Sequence, residues 1–371
     1  MRKKSKTLTI AGHTIARGQT QDLMLDVSQQ YTGSPIQLPI RVIRSTKAGP
    51  TVLITAAVHG DEFSGVGIIH ELMHADDLNP LIGTIIVVPV VNVFGFETQE
   101  RYMPDRRDLN RCFPGSESGS LSARFAHIFF SELVMHSDFC IDLHSAAVPR
   151  TNYPNVRGDF RDADVRRLCR AFGCELMLDS KGPDGSLRRE ATKAGCPTMI
   201  LEAGEPCKLE PSIHEVGLRG VKNVLRILDM LPGEVVKPPY QSLIKQGIWV
   251  RASIGGILRF HVSPGQIVEE GQPIATNADV FGQEQSVLVS PVEGIILGMT
   301  TLPAIKPGEP VCHVAIPTKS MKQIRKILKD SNRSGLYHQV RKDMASSISK
   351  RDITQSDNDA SWAPSVNVPE D

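Results

Sequence analysis

The four residues His59-Gly60-Asp61-Glu62 follow an unbroken apolar run over 51–58 and precede a stretch with helical spacing over 66–73. Imidazole nitrogen and carboxylate oxygen are donors that zinc takes, and catalytic zinc sites use three protein ligands and keep one position open. His59 and Glu62 could be two of the three. The same tetrapeptide also reads as a polar loop that closes a strand and caps a helix, with Asp61 near the helix dipole. His144 closes the apolar run 139–144 and is the natural third ligand, although a histidine in such a run also reads as a satisfied core residue. Glu202 closes the run 198–202 and is the candidate general base. Water activated by a metal still needs a group to take its proton and pass it to a leaving amine. Gly204 would let the backbone pass close to a substrate. Glu205 competes for the role of base but stands further from the apolar run. Asp142 shares the strand face of His144. It reads either as a polar neighbour that supports the site or as a buried carboxylate with a backbone partner.

A second cluster holds Arg101, Asp108, Asn110 and Arg111 within 101–111, followed by Cys112-Phe-Pro-Gly115. Guanidinium groups bind carboxylates through a planar fork, and Asn110 adds an amide donor. The loop could anchor an anionic substrate or polarise a carbonyl. A salt-bridged surface loop is the plainer reading. Pro104, Pro114 and Gly115 make it stiff.

These side chains need a frame. Strand-like runs at 51–58, 83–91, 139–144 and 198–202 alternate with helical patterns at 63–73, 121–135, 163–172 and 211–231. Such alternation implies an α/β fold with a largely parallel sheet flanked by helices. His59, His144 and Glu202 all follow carboxyl ends of strands, where ligands bind in open α/β sheets. This catalytic domain is expected over 1–232. Pro232-Gly233 and Pro238-Pro239 punctuate a change of texture. Short apolar runs with closely spaced turns over 247–316 predict a small all-β domain. The tail 317–371 is expected to hold a solvated basic helix, with Met321, Ile324 and Leu328 on one face, and disorder from about residue 346.

Composition narrows the function classes. The 371 residues carry a formal net charge of +1, which argues against nucleic acid or an anionic membrane as a bulk electrostatic partner. No apolar run approaches the roughly 18 residues that span a bilayer. The seven cysteines are scattered without a C-x-x-C pair. They read as reduced thiols in a cytoplasmic protein, and thiolate ligation of a metal is not expected.

His59-x-x-Glu62, Asp108-Leu-Asn110-Arg111, Asp142-Leu-His144 and Leu201-Glu202-Ala-Gly204, in this order, resemble the succinylglutamate desuccinylase/aspartoacylase family of zinc-carboxypeptidase-like enzymes. The resemblance covers about 45–320. It implies a mixed sheet flanked by helices with a small β-domain, and one zinc per chain on His59, Glu62 and His144. It further implies Glu202 as general base, Arg101 at the scissile carbonyl and Asn110 with Arg111 on the substrate carboxylate. Asp108 falls behind His59, where it would fix the tautomer. Some relatives add an aromatic hydroxyl to the pocket, for which Tyr102, Tyr153 and Tyr240 are candidates. The turn spacing of 261–294 also resembles lipoyl carrier domains, but 274–287 contains no lysine to carry a cofactor.

The expected activity is zinc-dependent hydrolysis of an amide, or an ester, in a small N-acyl amino acid. The alternatives are a metallocarboxypeptidase acting on peptide C-termini and a non-catalytic binding protein. A homo-oligomer stays open.

Overall fold

The computed structural model describes residues 7–75, 78–330 and 336–344. Two short strands, β1 (Leu8–Ile10) and β2 (His13–Ile15), pair as an antiparallel hairpin. Then come β3 (Thr20–Gln29), β4 (Pro35–Arg44), β5 (Thr51–Ala56), α1 (Ser64–His74), β6 (Thr84–Val88), α2 (Val93–Thr98) and α3 (Leu121–Glu132). They lead to β7 (Phe139–His144), β8 (Arg150–Gly158), α4 (Ala163–Phe172), β9 (Leu176–Asp179), α5 (Leu187–Lys193), β10 (Thr198–Gly204) and α6 (Pro211–Ile227). The C-terminal part holds β11 (Ser242–Arg251), β12 (Gly256–Phe260), β13 (Ile267–Val268), β14 (Pro273–Ala278) and β15 (Glu284–Val289). It continues with β16 (Gly294–Thr300), β17 (Ala304–Ile305), β18 (Pro310–Pro317), α7 (Met321–Asp330) and α8 (Leu336–Met344).

Twelve strands form one mixed sheet in the order β13-β16-β18-β11-β9-β8-β10-β7-β5-β6-β4-β3. Its centre, β10-β7-β5-β6, is parallel. The strands β15-β14-β12-β17 make a separate antiparallel sheet. This is the mixed α/β class with a C-terminal β-sheet that the sequence predicts.

The central strands lack alternation because both faces are covered. Val52, Ile54 and Ala56 of β5 join the core shared with α1, α4 and α6, whereas Leu53 joins the opposite core with α3 and α5. Register sets the site. Glu202 on β10 stands opposite His144 on β7 and Asn155 on β8. Thr55 on β5 stands opposite Asp142.

Two local expectations are corrected. Asp61 does not cap the following helix: α1 opens after Phe63 without a side-chain cap. The helix at 321–330 is not a solvated one. Met321 and Ile324 are buried in the core that α1 and α6 line, while Lys322, Lys326 and Lys329 stay exposed. An apolar stripe on one face suffices to dock a helix whose other faces are charged. α8 adds Asp343, whose Oδ2 accepts from Ser212 N at 2.7 Å in the first turn of α6. The disorder expected from residue 346 lies outside the described residues.

Candidate active site

The His59–Glu62 turn leaves β5 and packs against α2. A Cβ on Gly60 would stand 1.9 Å from the Gly95 carbonyl carbon, so only glycine allows this approach. The turn brings Glu62 beneath His59, and β7 delivers His144 beside them. One ligand atom from each of His59, Glu62 and His144 lies within 4.8 Å of the others, and all three residues are buried. Glu62 bridges the imidazoles: Oε1 is 2.6 Å from His59 Nδ1, and Oε2 is 2.8 Å from His144 Nδ1. Ser145 N also donates to Oε2 at 3.1 Å.

The outer nitrogens face other carboxylates. His144 Nε2 is 2.7 Å from Asp142 Oδ2, and Asp142 Oδ1 accepts from Thr55 Oγ1 at 2.7 Å. His59 Nε2 is 3.3 Å from Asp108 Oδ1. Burial opposes charge on each imidazole, but Glu62 and Asp108 together outweigh it at His59, and Asp142 with Glu62 outweighs it at His144, so both are raised above the usual histidine range. Burial likewise opposes charge on Glu62, yet the two imidazoles hold it well below the carboxylate range.

This donor set suits a divalent ion. Two neutral imidazoles carry two N–H groups, and Asp108 and Asp142 stand at both Nε2 atoms. That assignment leaves two Nδ1 lone pairs and a carboxylate converging on one point, a donor set that fits a metal ion with carboxylates behind the histidines.

The other expected residues gather around this centre. Arg101 donates to Glu62 Oε1 at 3.2 Å and Asp108 Oδ2 at 3.0 Å. Burial opposes ionisation of Asp108, but His59 and Arg101 hold it well below the usual range. Asn110 Oδ1 accepts from Leu187 N, at the start of α5, at 2.9 Å. Arg111 is half exposed and donates to the Asn110 carbonyl at 2.7 Å. Glu202 Oε2 accepts from Asn152 Nδ2 at 3.1 Å, and its Oε1 lies 3.7 Å from Arg157 Nη1. His59, Glu62, Arg101, Asn110, Arg111, His144 and Glu202 line one cavity of about 410 Å³. Glu205 does not line it and instead pairs with Lys208 at 2.7 Å.

Sequence reasoning missed part of the lining. β8 contributes Arg150, Asn152 and Arg157, the start of α5 contributes Arg188, and β11 and β18 contribute Trp249 and His313. Arg188 is buried, and its Nε and Nη1 have no hydrogen-bond partner. Burial and then Arg157 bring its pKa down to about 10. No tyrosine lines the cavity among the described residues. Tyr153 donates to Glu175 at 2.7 Å, Tyr240 is buried on the same carboxylate, and Tyr102 borders another groove.

The model of the succinylglutamate desuccinylase/aspartoacylase catalytic domain matches residues 48–228. This span belongs to the family. All four motifs named above fall within the matched span. The chain is 26% identical over 307 residues to N-alpha-acetyl-L-2,4-diaminobutyric acid deacetylase of Halomonas elongata, covering 77% of this chain and 87% of that protein. A succinylglutamate desuccinylase/aspartoacylase structure from Rhodobacter sphaeroides superposes with a TM-score of 0.71 at 22% identity, over 81% of this chain and 96% of that one. The product-bound ectoine utilization protein EutE (DoeB) of Ruegeria pomeroyi gives 0.70 at 24%, over 80% and 95%. These two establish the shared fold. Among the described residues, no helix is long and apolar enough to cross a membrane.

Proposed function

We propose that this deacylase-family chain is a zinc-dependent amide hydrolase of small N-acyl amino acids. The observation that carries the reading is the meeting of the His59–Glu62–His144 triad with Glu202, Asn110 and Arg111 in a single cavity. Zinc on such a triad supplies Lewis acidity that polarises a carbonyl and lowers the pKa of water. Glu202 takes a proton from the attacking water and returns it to the leaving nitrogen. Asn152 and Arg157 hold its two oxygens in place. Arg101 offsets negative charge growing on the carbonyl oxygen. Arg111 and the NH2 group of Asn110 hold the substrate carboxylate, and the Asn110 carbonyl is already fixed by Leu187 N. Asp108 and Asp142 keep the protons of His59 and His144 on Nε2.

The Halomonas relative is named for removing an acetyl group from an amino acid, which favours this reading over cleavage of peptide C-termini. A cavity of about 410 Å³ holds a small molecule. The test is amine release from a panel of N-acyl amino acids by zinc-loaded protein. Glu202→Gln should keep its zinc and lose about 10²–10⁴-fold in turnover. Unimpaired turnover removes Glu202 as the base, and protein that takes up no zinc and releases no amine removes the whole reading.

A further inference from the structure

The amino ends of the central strands hold charge that the hydrolytic steps leave unused. Thr51 opens β5 and Asp138 stands just before β7, while the metal ligands follow the other ends of the same two strands. Thr51 and Asp138 line a cavity of about 220 Å³ that shares no residue with the hydrolytic one. Its wall also carries Arg17 after β2, Arg44 at the end of β4, Lys47, and His136 in the turn Val134–His136. Arg44 is only 8% exposed, and its Nη1 donates to the Ile15 carbonyl, which fixes the guanidinium. Burial, and then the like charge of Arg17, bring Arg44 below the usual arginine range. Among the described residues, Arg17, Lys47 and His136 make no ion pair. Asp138 is the one described carboxylate on the wall, and its Oδ2 already accepts from Thr51 N at 2.7 Å.

We infer that Arg17, Arg44 and Lys47 form a binding site for a phosphate dianion at the end of the sheet away from the metal centre. Two guanidinium forks and an ammonium are the donors that phosphate oxygens take. Three cations facing one carboxylate leave excess positive charge in a partly buried recess, and such a charge seeks an anion. Arg2, Lys3, Lys4 and Lys6 precede Thr7, another wall residue, in the sequence and add to the field that steers an anion inward. Size sets the ligand class. The recess is smaller than the roughly 300 Å³ at which pockets for drug-sized ligands begin, so it takes a phosphoryl group rather than a whole nucleotide. A bound phosphate would tie the turn after β2 to β4, and a ligand of the native state alone raises its stability. The site stands independently of the hydrolase reading.

Equilibrium dialysis of the zinc-loaded full chain against radiolabelled inorganic phosphate, at constant ionic strength in chloride, tests the site. The expected dissociation constant is about 1 mM or tighter. Arg17 is exposed, so its variants keep the fold. Arg17→Met should weaken binding about tenfold or more, and Arg17→Lys, which keeps the charge without the fork, should recover part of it. Arg150→Met, in the hydrolytic cavity, should leave this binding unchanged. Equal constants in wild type and Arg17→Met, or wild-type binding weaker than about 10 mM, overturn the site. Loss in Arg150→Met with none in Arg17→Met places the phosphate in the hydrolytic cavity and overturns it too. Glycerol 1-phosphate as competitor separates the two sources of a phosphate dianion. Displacement of the label at a similar concentration assigns a phosphomonoester whose carbon part points out of the recess, and failure to displace it assigns free phosphate; both uphold the site.

Discussion

Asp142→Asn tests the support behind the metal centre, and its outcome can be worked out atom by atom. Asp142 accepts from Thr55 Oγ1 at one oxygen and faces His144 Nε2 at the other, each at 2.7 Å. Asparagine keeps the shape but has one acceptor and one donor end. If its oxygen takes the Thr55 hydroxyl, its NH2 faces His144 Nε2, and the imidazole proton must move to Nδ1. That is the nitrogen facing Glu62, so the ligand lone pair is lost. If the amide flips, the tautomer survives but Thr55 Oγ1 must turn its proton elsewhere. The nearest acceptor is the Ile141 carbonyl at 3.5 Å, which is a poor bond. Either arrangement sacrifices one contact in a fully buried setting. The expected loss in zinc affinity is about 10- to 100-fold, or about 1.4–2.7 kcal/mol. Competition with a chromogenic chelator measures it. Thr55→Val removes the competing hydroxyl, so Asp142→Asn in that background should lose only a fewfold. Affinity within twofold of wild type, or an equal loss in both backgrounds, refutes the tautomer argument.

Three other outcomes are expected. Ile324→Ala should cost about 3 kcal/mol of unfolding free energy, while the exposed Lys322→Ala stays within about 0.5; a loss below about 1 kcal/mol in urea melts would detach α7 from the core. Glu210 is pushed up to about 7, chiefly by burial, so the native state binds the extra proton and stability falls as pH rises from about 4.5 through 7. Glu210→Gln should flatten that slope and exceed wild type by about 1–3 kcal/mol at pH 8, judged from denaturant midpoints at pH 5 and pH 8. Glu205→Gln should leave turnover within about twofold, because Lys208 holds that carboxylate away from the cavity; a loss comparable to that of Glu202→Gln would exchange the two assignments.

The sequence disclosed what periodicity encodes. β7 and α4 begin and end where their patterns do, and β5, β6 and β10 fall within a few residues of the expected runs. His59, His144 and Glu202 were legible because each closes or directly follows an apolar run, and Glu62 because it stands three residues after His59. β8 was not: Arg-Thr-Asn-Tyr-Pro-Asn-Val-Arg-Gly has the composition of a loop. It is a strand because its polar side chains face a cavity rather than a core, and tertiary pairing with β10 overrides propensity. Arg188 escaped for a similar reason. A charged residue in a short helix reads as surface until the fold buries it. Trp249 and His313 lie beyond the last motif, in the C-terminal part of the chain, and only register joins them to the site.

The β-ladder that carries Trp249 and His313 has a mechanical consequence. β11 pairs with β9, and β16 pairs with β8, so the C-terminal strands continue the same hydrogen-bonded sheet that bears the metal-ligand turn. Swinging one wall of the cleft away from the other would tear those rows of backbone bonds. The cleft behaves as one elastic body without a hinge, and substrate exchange has to proceed through side-chain and loop motion at its rim. By the same logic, a chain nicked by protease between 232 and 241 would keep its two pieces zipped together.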